Sequence, residues 1–297
     1  MSSIRVNPYP LPDLLLALEN LQKQQSTATL ELATSSKINQ PSDDPAGAAR
    51  MVQVDDKSSE IDSYQTSIGS INGQLSMADS ALSSVVTVLQ RAISLGVEGA
   101  NGTLSDSDRS AIASELRGIQ SQLVSLANTS YQGQYLFAGT AATQPFVADS
   151  QAPSGVQYQG NGGANSVTIG EGYRVQLNQP GSQIFNGTGN DVFQAIQDLI
   201  TSMNSNSGIS AAVTEVSNAY NYVTSQRALY GNAMNQVTSQ QTLLSTEKVN
   251  LGQEENTVSG ADTATVASQL ASEQTATNAT LEAMAKLPQT SLFDYLR

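Results

Sequence analysis

Apolar residues recur along this chain in alternating steps of three and four, the spacing of helices that each bury one stripe against a partner helix. Near the start Leu11, Leu14, Leu18, Leu21, Gln25, Ala28 and Leu32 follow it, until "KINQPSDDPAGAAR" at residues 37–50 interrupts. The stripe resumes at Met51 and Val54 and continues through Ile61, Ile68, Ile71, Leu75, Leu82 and Leu89. This predicts a helix over about 45–98, stopped by "GVEGANG". "SDSD" at 105–108 restarts the chain, with Ser105 as a cap and Asp106 and Asp108 suited to the positive end of a helix. Ile112, Leu116, Ile119, Leu123 and Leu126 mark that third helix.

A further helix begins near Asp191 and is broken by "NSNSG". A second long stripe then opens at Ile209 and keeps the alternation for seven heptads, through Val216, Val223, Tyr230, Val237, Leu244 and Leu251 to Val258. "SGAD" at 259–262 ends it. The last helix carries Val266, Leu270, Glu273, Thr277, Thr280, Met284 and Leu287 in the same spacing. Residues 131–190 differ: they hold 11 of the 22 glycines and three charged residues, and "VQYQ", "SVTI" and "YRVQL" alternate as strands do.

The expected fold is α+β, mainly α: an elongated antiparallel bundle of long coiled-coil helices with a small inserted β domain. Residues 1–40 with 262–297 are expected to form a terminal coiled coil, 41–130 with 191–261 a helical rod, and 131–190 the β domain. The break at 37–50 has a local cause. Pro41 disfavours helix at Gln40, Asp44 suits an N-cap and Pro45 the first turn, and Ser42 and Asp43 can satisfy free amides. A plain helix cap explains that much. The matching break at 259–262, equally deep from the other end, favours a domain boundary. The terminal stripes are weak, since Gln25, Ala28, Glu273, Thr277 and Thr280 bury little apolar surface and isolated helices of this length are marginal in water. Residues 1–40 and 262–297 are therefore expected to be poorly ordered in a free monomer and to fold against each other and against neighbouring subunits.

Composition narrows the function classes. The chain has no Cys and no His, which removes thiol nucleophiles, disulfides, Ser-His-Asp triads and the commonest transition-metal ligand. No catalytic residue, cofactor or metal is expected. Net charge is −13 and no two basic residues are adjacent, which argues against nucleic acid and anionic membranes. The longest purely apolar run is "LLLAL", far short of a membrane span or a signal-peptide core. The expectation is a soluble chain without a cleaved signal.

"INQPSDDPAGAAR" at 38–50, "LRGIQSQLVSLANTSYQGQYLFAGTAATQPF" at 116–146 and "LASEQTATNATLEAMAKLPQTSLFDYLR" at 270–297 resemble the flagellin superfamily of axial proteins, most closely its hook-associated, hook–filament junction family. One departure is Pro8, Pro10 and Pro12 near the start, which moves the expected onset of the first helix to about Asp13. The resemblance implies a terminal coiled coil in the inner core of a tubular assembly, a helical rod around it and the β domain outermost. It implies a structural subunit of the bacterial flagellum, self-associating in a ring or helical layer. Its neighbours would be another hook-associated protein and flagellin, with export unfolded through the type III apparatus. Leu14, Leu18 and Leu21 with Leu281, Met284 and Leu287 would form the inner assembly seam, and Pro41, Asp43, Asp44 and Pro45 the domain joint. Leu281, Met284 and Leu287 with Leu292, Phe293 and Leu296 of the tail are the apolar candidates for an export chaperone. The rival readings are a flagellin filament subunit and a coiled-coil surface adhesin.

Overall fold

The structure, a computed structural model, describes residues 11–286. In chain order it has α1 (Leu11–Thr34), α2 (Pro45–Gly99), α3 (Asp106–Ala127), β1 (Ser130–Tyr131), β2 (Gln134–Tyr135), β3 (Phe146–Ala148), β4 (Val156–Tyr158), β5 (Ser166–Gly170) and β6 (Tyr173–Gln176). There follow α4 (Gly181–Ile184), β7 (Asn186–Gly187), β8 (Asn190–Asp191), α5 (Val192–Ser205), α6 (Ile209–Ser259) and α7 (Thr263–Lys286). The fold is mainly long helices with small antiparallel ladders. It divides into two compact units, one of residues up to 59 and from 247 onward, the other of residues 60–246.

In the unit of residues 60–246, the heptad stripes form the core. Ile61, Ile68, Ile71, Leu75, Leu82 and Leu89 of α2 are buried, as are Val216, Val223, Tyr230, Val237 and Leu244 of α6. Arg227 of α6 makes a two-pronged ion pair with Asp79 of α2 at 2.7 and 3.0 Å. α3 begins at a capping box: Ser105 Oγ accepts the Asp108 N–H at 3.2 Å, and the Asp108 carboxylate accepts the Ser105 N–H at 3.1 Å. Asp191 caps α5 by accepting the Gln194 N–H at 2.9 Å, and Asn206 ends it in the left-handed region. α3 and α5 pack on each other.

The expected strands are present, with β4, β5 and β6 in "VQYQ", "SVTI" and "YRVQL". They pair as four separate two-stranded antiparallel ladders, not as one sheet, and α4 lies among them. A lone two-stranded ladder is marginal in water, so the region draws its core from a neighbour. Phe137, Phe146 and Phe185 are fully buried together with Phe193 of α5, with ring centroids 5.2–6.0 Å apart. Four of the chain's five phenylalanines thus tie the strands to a helix.

In the other unit α1 packs on α7. The pair is antiparallel, since Gln25 meets Thr277 and Ser36 meets Gly260. Val54, Leu251, Val266 and Ala28 are buried here. One window of α2 is long and apolar enough by length and composition alone to cross a membrane, and a little under half of it is buried within the fold.

Candidate assembly surface

The seam between α1 and α7 is built from the heptad positions. On α1, Leu14, Leu18, Leu21 and Gln25 are half-buried and Ala28 is buried; on α7, Val266 and Glu273 are buried and Leu270, Thr277, Thr280 and Met284 half-buried. Gln25 Nε2 donates to Thr277 Oγ1 at 2.8 Å across the seam. Leu281 lies off this stripe and is 48% exposed. Its neighbour Thr280 holds the inward phase, and one residue of helix turns a side chain by about 100°, so within the chain Leu281 faces outward. Leu11, Leu15, Leu16 and Leu30 of α1 are also exposed. Leu287, Leu292, Phe293 and Leu296 lie outside the described residues.

The joint explains the interruption at 37–50. Asp43 Oδ2 accepts the N–H groups of Asn39 at 3.1 Å and Gln40 at 2.8 Å, closing the turn, and the Asp43 N–H donates to the Gln40 carbonyl at 3.0 Å. Asp44 Oδ1 accepts the Ala46 N–H at 3.1 Å, capping α2, with Pro45 as its first residue. Pro41, Asp43, Asp44 and Pro45 are all exposed. Gly47 is buried, and a side chain there would meet Asp44 Oδ2 at 2.4 Å and the Ile38 side chain at 2.5 Å.

The second break faces the first. Ser36 and Gly260 form an isolated antiparallel bridge. The Lys37 N–H donates to the Ser259 carbonyl at 2.7 Å, and the Ala261 N–H to the Ser35 carbonyl at 3.0 Å. Ser35 sits in the left-handed region at φ 56°, as helix ends commonly do. Gly260 is needed here, because a Cβ would lie 2.3 Å from the Asn256 carbonyl oxygen. Asp262 then caps α7, accepting the N–H groups of Ala264 and Thr265 at 3.1 and 3.3 Å and the Thr265 hydroxyl at 2.8 Å. The Thr265 hydroxyl first, then these N–H groups, hold the Asp262 carboxyl below its usual range. Sequence reading marked both breaks but missed Ser36, Gly47 and Gly260; only the glycine within each break signalled a close approach.

Among the described residues no group of three or more acidic side chains is placed to hold a metal ion. Tyr230, buried in the core, has its hydroxyl pushed up to about 12 by that burial, so it stays protonated and accepts the Gln179 N–H at 3.2 Å.

Comparison with known proteins adds three relatives. Flagellar hook-associated protein 3 of Salmonella typhimurium is 34% identical over 173 residues, covering 57% of this chain and 52% of that protein. Flagellin of Listeria innocua is 29% identical over 211 residues, covering 66% of this chain and 74% of that protein. The crystal structure of the flagellar junction protein FlgL from Legionella pneumophila superposes with a TM-score of 0.62 at 14% identity, covering 71% of this chain and 99% of that one; at that identity the likeness concerns the fold. The chain spans about half the length of the hook-associated relatives it matches. The bacterial flagellin N-terminal helical region matches residues 13–142, from α1 through the β1–β2 hairpin, and the bacterial flagellin C-terminal helical region matches residues 213–296. With more than half of its residues in those two regions, the chain belongs to the bacterial flagellin family.

Proposed function

We propose that this chain is a structural subunit of the bacterial flagellum that joins hook to filament. The observation that carries the reading is the antiparallel pairing of α1 with α7, which leaves Leu11, Leu15, Leu16, Leu30 and Leu281 exposed on the same helix pair. Such a row of apolar side chains is costly on a free surface and useful inside a polymer. The 34% identity to a flagellar hook-associated protein 3 supports the junction over the bulk filament. Function on this reading is geometric: Leu14, Leu18, Leu21, Met284 and Leu287 complete the inner seam, Leu281 and the outer leucines meet neighbouring subunits, and the joint at Pro41–Pro45 fixes where the helices turn. The neighbours are a further copy of the chain, another hook-associated protein and flagellin. Before assembly the apolar face of the α7 region and tail, including Leu292, Phe293 and Leu296, is covered by an export chaperone, and the chain reaches the cell exterior through type III export.

The test is to express the tagged chain in a flagellated strain lacking its own junction protein and to locate it by immunogold labelling. A single band where hook meets filament supports the reading, and restored motility strengthens it. The second reading, a filament subunit, is favoured by the longer match to Listeria flagellin. Label spread along the whole filament selects it.

A further inference from the structure

We propose that Asn101–Gly102 is a self-modifying site, where the folded chain converts its own asparagine to aspartate and isoaspartate, consuming water and releasing ammonia. The chemistry requires the backbone nitrogen of the next residue to reach the asparagine side-chain carbonyl carbon. Glycine, with no Cβ, gives the freest approach. Four Asn–Gly pairs occur in the chain, at Asn72, Asn101, Asn161 and Asn186.

The fold restrains three of them. Asn72–Gly73 lies in the middle of α2, where the Gly73 N–H belongs to the helix ladder and the Tyr131 hydroxyl crowds Gly73. Asn186 Nδ2 donates to Asp191 at 2.8 Å, its Oδ1 is buried, and Gly187 is buried against Tyr222. Asn161 is exposed but tied to distant parts of the chain. Its Oδ1 accepts the Thr140 N–H at 2.8 Å, its Nδ2, the group that would leave, donates to Thr140 Oγ1 at 2.9 Å, and its carbonyl accepts the Tyr158 hydroxyl at 2.9 Å. Asn101, Gly102 and Thr103 are all exposed in the turn between α2 and α3, and a Cβ at Gly102 would meet open space. The bonds of Asn101 are local, to Glu98, Thr103 and Leu104.

That turn also favours the reaction. Asn101 Oδ1 accepts the Thr103 N–H at 3.1 Å and the Thr103 hydroxyl at 2.9 Å. A bond from the side-chain oxygen to the amide two residues on folds the side chain over the intervening peptide, here that of Gly102. The same donors stabilise the negative charge that gathers on Oδ1 in the attack. Hydroxide takes the Gly102 N–H proton, the nitrogen bonds to Asn101 Cγ, and the Cγ–Nδ2 bond breaks. Ammonia leaves with a proton returned from water. Water then opens the cyclic imide at either carbonyl, giving aspartate or isoaspartate and a new carboxylate. That charge stands just past the negative end of the α2 dipole. The isoaspartate form also lengthens the backbone ahead of Leu104, whose carbonyl accepts Nη1 of the buried Arg109 at 2.6 Å, so conversion loosens the start of α3.

The test is peptide mapping of the full-length chain after incubation at mildly alkaline pH, with conversion at each asparagine read from fragment masses. Trypsin releases residues 92–109, in which Asn101 is the only asparagine. Asn101 is expected to convert at least about tenfold faster than Asn72, Asn161 and Asn186, whose surroundings must first open, tenfold being roughly 1.4 kcal/mol of opening. In the urea-unfolded chain the four rates are expected to draw together. Gly102→Ala should slow conversion in both states. Thr103→Val keeps the N–H and loses the hydroxyl, and should slow conversion about threefold in the folded chain alone, the worth of one exposed hydrogen bond. Equal rates at the four sites of the folded chain overturn the proposal, as does earlier conversion at Asn161 or an unchanged folded-state rate in Thr103→Val.

Discussion

Replacing Asp43 with Ala removes one carboxylate oxygen that holds two backbone N–H groups, those of Asn39 and Gln40, at 3.1 and 2.8 Å. Bonds to a charged acceptor contribute about 1.5–3 kcal/mol when buried. Asp43 and Gln40 are exposed, and water can replace part of what is lost, so about 0.5–1 kcal/mol per bond applies here. The sum, about 1–2 kcal/mol, corresponds to roughly tenfold faster local opening. Amide exchange is the assay. Asn39 and Gln40 are expected to accelerate about tenfold, and Lys37 and Ala261 with them. The coupling follows from geometry: Asn39 Nδ2 donates to the Ser36 carbonyl at 2.8 Å, and Ser36 is the residue bridged to Gly260. Asp43→Asn, which keeps an acceptor, should recover part of the protection. Acceleration confined to Asn39 and Gln40, with Lys37 and Ala261 unmoved, refutes the claim that the two breaks act as one joint.

Three further perturbations probe other parts of the chain. Leu18→Asp is expected to leave secretion intact and to abolish incorporation; normal motility in that strain counts against the inner-seam assignment. Phe146→Ala empties a fully buried ring site in contact with Tyr158, Phe185 and Phe193 and is expected to cost about 3–5 kcal/mol in denaturant unfolding of the full chain; a loss below about 1 kcal/mol means that strands and α5 do not share a core. Asp262 has a folded pKa below its ordinary value, so its contribution is present above about pH 3.9 and is lost as pH falls through the lower folded value. Exchange at Ala264 and Thr265 should accelerate in that acid window, and Asp262→Asn should flatten the response.

Much of the helical plan was legible because each helix buries a single stripe. The positions read from spacing in α2 are the ones the structure buries or half-buries, from Met51 to Leu89. Spacing failed where a 3.5-residue repeat drifts against the 3.6-residue helix. In α6 the alternation of threes and fours counted from Val237 puts Gln241 and, after Leu251, Glu255 on the stripe; both are exposed, and Gln240 and Glu254 are half-buried in their place. Leu281 failed for a related reason: its residue type suggested core, but its phase put it outside. The Ser36–Gly260 bridge and the sharing of Phe193 with the strands were not legible. They join residues far apart in the chain, and local periodicity carries no record of such pairings.

The two units differ in the quality of what they bury, and the difference bears on assembly. Residues 60–246 enclose four phenylalanines and a nearly continuous row of Ile, Leu and Val, the side chains whose burial contributes most. The α1–α7 seam buries Ala28, Val266 and an acid with one unpaired oxygen, while its leucines are half-buried or exposed. Fully burying an exposed leucine is worth about 1.5–3 kcal/mol, and on the proposed reading neighbouring chains supply that cover. On the proposed reading, a seam completed by neighbours would be soft in the free chain and harden on incorporation. On that reading, filling it with large apolar residues would raise the stability of the single molecule and remove its dependence on neighbours.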